Sequence, residues 1–331
     1  MGGLGRKVAL GLGLGALVVA AALALGDADA VARALVGFDG TFLAWALAAS
    51  AGNYVLRYLK WEVCLARLGV RADVPDLTWA RSALVYLAGL SMSITPGKIG
   101  EVLRSVLLRA TDGVPGSRTA PVVVADRLSD VLALVALSLF GLGRHADVPA
   151  VGLGAAAACL AIVLVVGSER RVHAILSFVG RVRALRFVAA RAEAVAEASA
   201  QVLSVRVLFV LWGLSVAGWG LECVGLYAIL SGFGTPPASL ADATFLWSFT
   251  TLVGAVSFLP GGLGATEASL SVLVVAMVPG ATPAVAVGAT LLARGATLWF
   301  GEVVGVVALL VLRRHGALRR QDGDDGPPAQ R

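Results

Sequence analysis

The chain has 331 residues, of which 58% are hydrophobic and only 15% charged, with a net charge of +6. Soluble domains carry about 25% charged residues, so most of this surface is expected to meet lipid rather than water. Cys64, Cys159 and Cys223, and His145, His173 and His315, share no ligand or redox spacing, which argues against metal or thiol chemistry and leaves no cofactor expected; the basic residues sit in short loops between apolar runs, where they speak for membrane topology and anionic head groups rather than nucleic acid.

Apolar runs fall at about 8–25, 41–62, 78–109, 119–140, 149–167, 207–230, 241–278 and 283–312. Each is read as helix, because an open sheet cannot satisfy its backbone inside a bilayer. The first run follows Arg6 and Lys7 and precedes Ala28-Asp29-Ala30, a pattern that also fits a cleaved signal peptide; its length favours a retained span. Runs 78–109 and 241–278 are too long for one crossing, and each is broken by a Pro-Gly step, Pro96-Gly97 and Pro260-Gly261, that a continuous helix tolerates poorly. Each is therefore expected to be a helix-turn-helix hairpin entering and leaving on one side. Between the halves, Val188, Ala192, Val195, Ser199 and Val202 recur at helical spacing opposite Arg186, Glu193, Glu197 and Gln201. They predict a cytoplasmic amphipathic helix within about 168–206, lying at the head-group surface or packing on the bundle as a connector. Residues 1–312 then form a single transmembrane domain, and 313–331, with Asp-Gly-Asp-Asp-Gly-Pro-Pro, read as a disordered tail.

With the N-terminus in the cytoplasm, Arg6, Lys7, Arg67, Arg71, Arg109, Arg118, the basic residues from Arg170 to Arg206 and those from Arg313 onward all fall inside, and only Arg33 and Arg144 of the loop residues fall outside. This asymmetry predicts a multi-pass protein of the cytoplasmic (inner) membrane with both termini in the cytoplasm.

Ser93-Ile94-Thr95-Pro96-Gly97-Lys98-Ile99-Gly100 and Ser257-Phe258-Leu259-Pro260-Gly261-Gly262-Leu263-Gly264 share Ser-x-x-Pro-Gly-x-aliphatic-Gly, and Arg127 and Arg294 follow them at nearly the same distance. The repeat unit is span, hairpin, span, over about 41–140 and 207–312. The first hairpin is flanked by Arg71 and Arg118, the second by the uncharged stretches 232–237 and 280–283, so the two copies are expected to run in opposite senses. The predicted fold is an all-α polytopic bundle with two inverted repeats, the arrangement of alternating-access transporters.

Within these runs lie Lys98, Glu101, Arg104, Arg127 and Arg294, with Asp126, Asp130, Glu222, Glu267 and Glu302. A charge at the centre of a lipid-facing helix costs about 2.5–3.5 kcal/mol, so the set is expected to face protein or a water-filled cavity. Lys98, Glu101 and Arg104 share one face of the helix leaving the first tip, whose N-terminal N–H groups add partial positive charge. An anion is the natural guest. For Asp130 and Glu302, ion pairs that tie the two repeats together weigh as much as function. The seven tryptophans read mostly as membrane or core aromatics, and Gly97-Lys98 lacks the surroundings of a Walker A loop.

At Thr95-Pro96-Gly97-Lys98-Ile99-Gly100-Glu101, Asp126-Arg127-x-x-Asp130 and Leu259-Pro260-Gly261-Gly262-Leu263-Gly264-x-x-Glu267, the sequence resembles the flippase-like family of the lysylphosphatidylglycerol synthase transmembrane region, over about residues 8–312. The resemblance implies an inner-membrane protein that translocates phospholipids, aminoacylated lipids or polyprenyl-linked sugars. The bifunctional synthases of that family continue into a soluble aminoacyl-transfer domain. This chain is expected to be a stand-alone member without one, and lysyl transfer is not expected.

The leading expectation is a lipid flippase. Lys98, Arg104 and the first hairpin would hold an anionic head group, Pro96, Gly97, Arg127, Pro260, Gly261 and Arg294 would complete its site, and Glu101 and Glu267 would gate it or couple it to protons. Asp126, Asp130 and Glu222 are further candidates for coupling or gating. The partners expected are membrane lipids and a lipid-modifying transferase. The alternatives are a membrane-embedded enzyme acting on a lipid phosphate and a non-catalytic scaffold for a partner transferase.

Overall fold

A computed structural model describes residues 27–94, 100–142, 204–234, 238–257 and 259–314. The predicted first span, the run 149–167, the body of the connector helix and the tail beyond Arg314 lie outside these residues, as do Pro96, Gly97 and Lys98 at the first tip. Among the described residues every regular element is helical, and no strand occurs.

Helix α1 (Ala28–Val36) runs into α2 (Gly40–Arg67) through a bend of 87°. Asp39 makes the corner: its carboxylate caps α2 by accepting from Thr41 N at 2.9 Å, and its own N–H donates to Gly232 O at 3.0 Å. A short turn, α3 (Val70–Asp73), leads to the first hairpin. That hairpin comprises α4 (Trp79–Ala88), a 3-10 turn at Gly89–Met92, and α5 (Gly100–Asp112). Thr78 caps its entry by accepting from Arg81 N. Helix α6 (Gly116–Leu142) completes the first half.

The second half repeats this order. Helix α7 (Val205–Ser231) precedes the hairpin α8 (Leu240–Val256), 3-10 turn Pro260–Gly262 and α9 (Ala265–Met277). Then α10 (Pro283–Arg294), a π turn at Gly295–Trp299 and α11 (Phe300–Arg314) form one continuous rod. Ser239 and Asp242 form a reciprocal capping box at α8, and Thr282 with Pro283 starts α10. The second Pro-Gly break, Pro260-Gly261, therefore falls between α8 and α9, as its chemistry requires. Two boundaries move: the second half begins at Val205 rather than 207, and the last helix continues through Arg313 and Arg314, which the sequence reading gave to the tail.

Two cores, rather than one, organise the packing. Tyr86 and Leu108 of the first hairpin join Trp61 and Leu65 of α2, Val122 and Ala125 of α6, Leu211 of α7 and Leu312 of α11. Leu246 and Leu270 of the second hairpin join Ala46 of α2, Ala133 and Leu134 of α6, Leu226 and Leu230 of α7 and Ala289 of α10. Helices α2, α6 and α7 each contribute one end to each core, so the two hairpins occupy opposite ends of the helices that run through. The hairpin tips meet between the cores. A Cβ on Gly261 would lie 3.4 Å from Ile94 Cα, and Ile94 N donates to Glu302 Oε1 at 3.0 Å. Small residues allow this closeness: a Cβ on Gly305 would stand 2.2 Å from Ser91 N, so α11 and the first hairpin touch backbone to backbone.

The outer surface is inverted relative to a soluble protein. Trp45, Phe140, Phe209, Val272 and Val303 are exposed, while Lys60, Arg104, Asp126, Asp130 and Glu222 are buried. Among the described residues, Arg206–Ser231, Pro260–Met277 and Pro283–Arg314 are long and apolar enough to cross a membrane, and the bent pair α1–α2 adds a fourth. Helix α6 is not among them and α2 only together with α1; both carry buried charged side chains, Lys60 on α2 and Asp126 and Asp130 on α6, and there the site lies.

Candidate functional site

Helical spacing sets the first cluster. Arg57 and Lys60 are three apart on α2, and Asp126 and Asp130 are four apart on α6, so each pair shares a helix face. Where α2 docks on α6 the pairs interlock: Lys60 Nζ lies 2.5 Å from Asp126 Oδ1 and 2.7 Å from Asp130 Oδ1, while Arg57 Nη2 lies 3.0 Å from Asp130 Oδ2 and 3.8 Å from Asp126 Oδ2. Ser215 of α7 adds a hydrogen bond to Asp130 at 2.9 Å. Arg104 of α5 reaches the same place, with Nη1 3.6 Å from Asp126 Oδ2 and its guanidinium 4.2 Å from the centre of the Tyr86 ring. Three cations thus face two carboxylates in a site where Lys60 is only 1% exposed.

The second cluster fixes the second tip. Arg294 donates from Nε to Glu267 Oε1 at 2.6 Å and from Nη2 to the Gly261 carbonyl at 2.7 Å. Glu267 Oε2 accepts from Gly264 N at 2.7 Å and so caps α9. The tip needs glycine here, since Gly261, Gly262 and Gly264 all have positive φ. Glu222 on α7 accepts from Asn53 at 2.7 Å and Ser50 at 3.1 Å. Tyr54 donates to the Thr297 carbonyl within the π turn at 2.6 Å, a kind of turn that is frequent at functional sites.

These groups surround a cavity of about 370 Å³ between the two cores, within the range of small-ligand sites. Its wall carries Arg57, Arg104, Arg127 and Arg294, the carboxylate of Glu222, the indoles of Trp219 and Trp247, and backbone from both tips at Leu90, Ser93, Gly261 and Gly262. Gly89 belongs to the wall for a steric reason: a Cβ there would come 2.4 Å from Arg104 Cγ. Gly89→Ala is expected to displace the Arg104 side chain and destabilise the protein by about 1–3 kcal/mol, read as a lowered unfolding midpoint in detergent.

Of the residues singled out from the sequence, Arg104, Arg127, Glu222, Gly261 and Arg294 line this cavity. Asp126 and Asp130 stand behind the wall, held by Lys60. Glu267 and Pro260 belong to the second tip without lining the cavity. Pro96, Gly97 and Lys98 lie outside the described residues, and the side chain of Glu101, at the start of α5, does too. Glu302 binds the first tip. Arg57 and Lys60 were not singled out from the sequence, and Trp219 and Trp247 were placed with the membrane or core aromatics. The signal for the basic pair was present: Asp126 and Asp130 on one buried face demand cations, and Arg57-x-x-Lys60 offers two with matching spacing. Among the described residues no three His, Cys, Asp or Glu side chains group as a metal would require.

A membrane protein of the UPF0104 group from Methanothermobacter thermautotrophicus is 34% identical over 91 residues, covering 28% of this chain and 26% of its own length, and a second UPF0104 membrane protein of that organism is 38% identical over 74 residues, 22% of each chain. Glycosyltransferase AglD of Haloferax volcanii is 25% identical over 310 residues, 80% of this chain and 49% of its own. The chain therefore spans about a quarter to a half of the length of these relatives. Residues 8–305 match the family described as the lysylphosphatidylglycerol synthase TM region. With its apolar spans and buried ionic interior, the chain is a multi-pass membrane protein that belongs to this lysylphosphatidylglycerol synthase TM region family.

Proposed function

We propose that the protein carries an anionic lipid head group across the cytoplasmic membrane, holding it in the cavity between the hairpin tips while the acyl or prenyl chains stay in lipid. The observation that carries this reading is the concentration of four guanidinium groups on the wall of one cavity reached by both tips. Guanidinium forks suit phosphate oxygens. The placement of the two hairpins at opposite ends supports inverted repeats and alternating access. Arg67, Arg71, Arg109, Arg118, Arg206 and Arg313 adjoin the core that holds the first hairpin; this supports placing that end, and both termini, in the cytoplasm.

The test is reconstitution into vesicles with a fluorescently labelled phospholipid, following chemical quenching of the outer leaflet. Wild-type protein is expected to expose the inner-leaflet label, and Arg104→Gln to slow this by about 10–100-fold, the loss that corresponds to one charge-assisted hydrogen bond. A wild-type protein that moves no anionic lipid would defeat the reading. A second reading, a membrane module that serves a lipid-modifying transferase, draws on the similarity to a protein named as a glycosyltransferase. It predicts copurification with such an enzyme and indifference to Arg104→Gln.

A further inference from the structure

We infer that the cavity recognises a phosphate group bearing two negative charges, such as a phosphomonoester or pyrophosphate end, and rejects an aminoacylated head group. This rests on the head-group-carrier reading and narrows it to one class of cargo. Summed over both clusters, cations and carboxylates nearly balance; their placement is what differs. Among the described residues, the wall presents Arg57, Arg104, Arg127 and Arg294 with one lining carboxylate, that of Glu222. The other carboxylates stand behind the wall and do not line the cavity: Asp126 and Asp130 pair with Lys60 as well as with Arg57 and Arg104, and Glu267 with Arg294 and the Gly264 N–H. Both oxygens of Glu222 already accept, from Asn53 and Ser50.

The hydrogen-bonding capacity left over is nearly all of one kind. Arg104 Nε, Trp219 Nε1 and Trp247 Nε1 are buried without a hydrogen-bond partner, on wall residues that are 5%, 8% and 3% exposed. All three are donors. Unmatched buried donors call for acceptors, and a terminal phosphate supplies three oxygens without bringing a donor. The one comparable leftover acceptor, Asn53 Oδ1, is directed at α7, 2.6 Å from where a Cβ on Gly218 would stand. A lysyl or alanyl ester would instead bring an ammonium, three more donors, among the guanidinium groups. Its charge has the wrong sign for this wall.

The experiment uses the purified full chain in detergent and reads ligand-induced stabilisation alongside intrinsic tryptophan fluorescence. The probes are short-chain phosphatidic acid, phosphatidylglycerol, lysyl-phosphatidylglycerol and inorganic pyrophosphate. Phosphatidic acid is expected to bind at least about 10-fold more tightly than phosphatidylglycerol, a difference of 1.4 kcal/mol, and lysyl-phosphatidylglycerol to show no saturable binding. Trp219→Phe keeps an aromatic ring, though a smaller one, and removes the N–H; it is expected to narrow the preference for phosphatidic acid, as is Arg104→Gln. Equal or tighter binding of the lysyl lipid overturns the inference, and so does a preference unaltered in a folded Trp219→Phe protein. Pyrophosphate binding as tightly as phosphatidic acid would uphold the charge rule while locating recognition in free phosphate, which counts against the carrier reading alone. Conversely, transport that moves charged and aminoacylated lipids equally would keep the carrier and overturn this inference.

Discussion

Lys60→Met is expected to cost about 3–5 kcal/mol of stability, the loss typical of breaking a buried ion pair from one side. Lys60 is the cation closest to both Asp126 and Asp130, and its burial leaves water no access to replace it. Without it Arg57 and the more distant Arg104 must serve two carboxylates from the cavity side. Thermal unfolding in detergent checks the size of the effect. Adding Asp130→Asn to Lys60→Met is expected to recover a substantial part of the loss, because the stranded charge goes with it; a double variant no better than the single one would mean that packing of the lysine stem, not charge, is what matters.

Arg294→Gln is expected to be comparably damaging, by about 3–5 kcal/mol, through a different route. It strands the Glu267 carboxylate, which is 7% exposed, and frees the Gly261 carbonyl at the second tip. The tip should then loosen selectively. Backbone amide exchange around Gly261 to Gly264 is expected to quicken before exchange in α7, whereas Glu267→Gln combined with Arg294→Gln restores a neutral, hydrogen-bonding pair and slows it again. Uniform acceleration across the bundle would show that Arg294 supports the whole fold instead of this turn.

The described helices and the second break were legible in the sequence for local reasons: apolar length sets the spans, and Pro-Gly cannot continue a helix. Most of the buried ionic residues were legible too, since Arg104, Asp126, Arg127, Asp130, Glu222, Glu267 and Arg294 sit where lipid would not tolerate them. Their pairings, and the contribution of Arg57 and Lys60, were not. Periodicity tells which residues share a face of one helix, but not how that helix is rotated against another. Lys60 stands near the end of an apolar run, where a long side chain equally well reaches the head-group layer; only the docking of α2 on α6 turns it inward. Glu267 illustrates the reverse case. Its position beside a Pro-Gly tip suggested gating, and in the structure its two oxygens secure the turn and the adjoining arginine.

The wide turn at Gly295–Trp299 carries a geometric consequence for the rod in which it sits. Arg294 grips one tip and Glu302 the other. In a regular helix, at about 100° per residue, positions eight apart point about 80° away from each other. One residue looped out in a π turn brings them to within about 20° of a common direction. That single surplus residue lets one rod hold both tips at once; winding the same residues as regular α-helix would swing Glu302 away from Ile94 and leave the rod holding only the second.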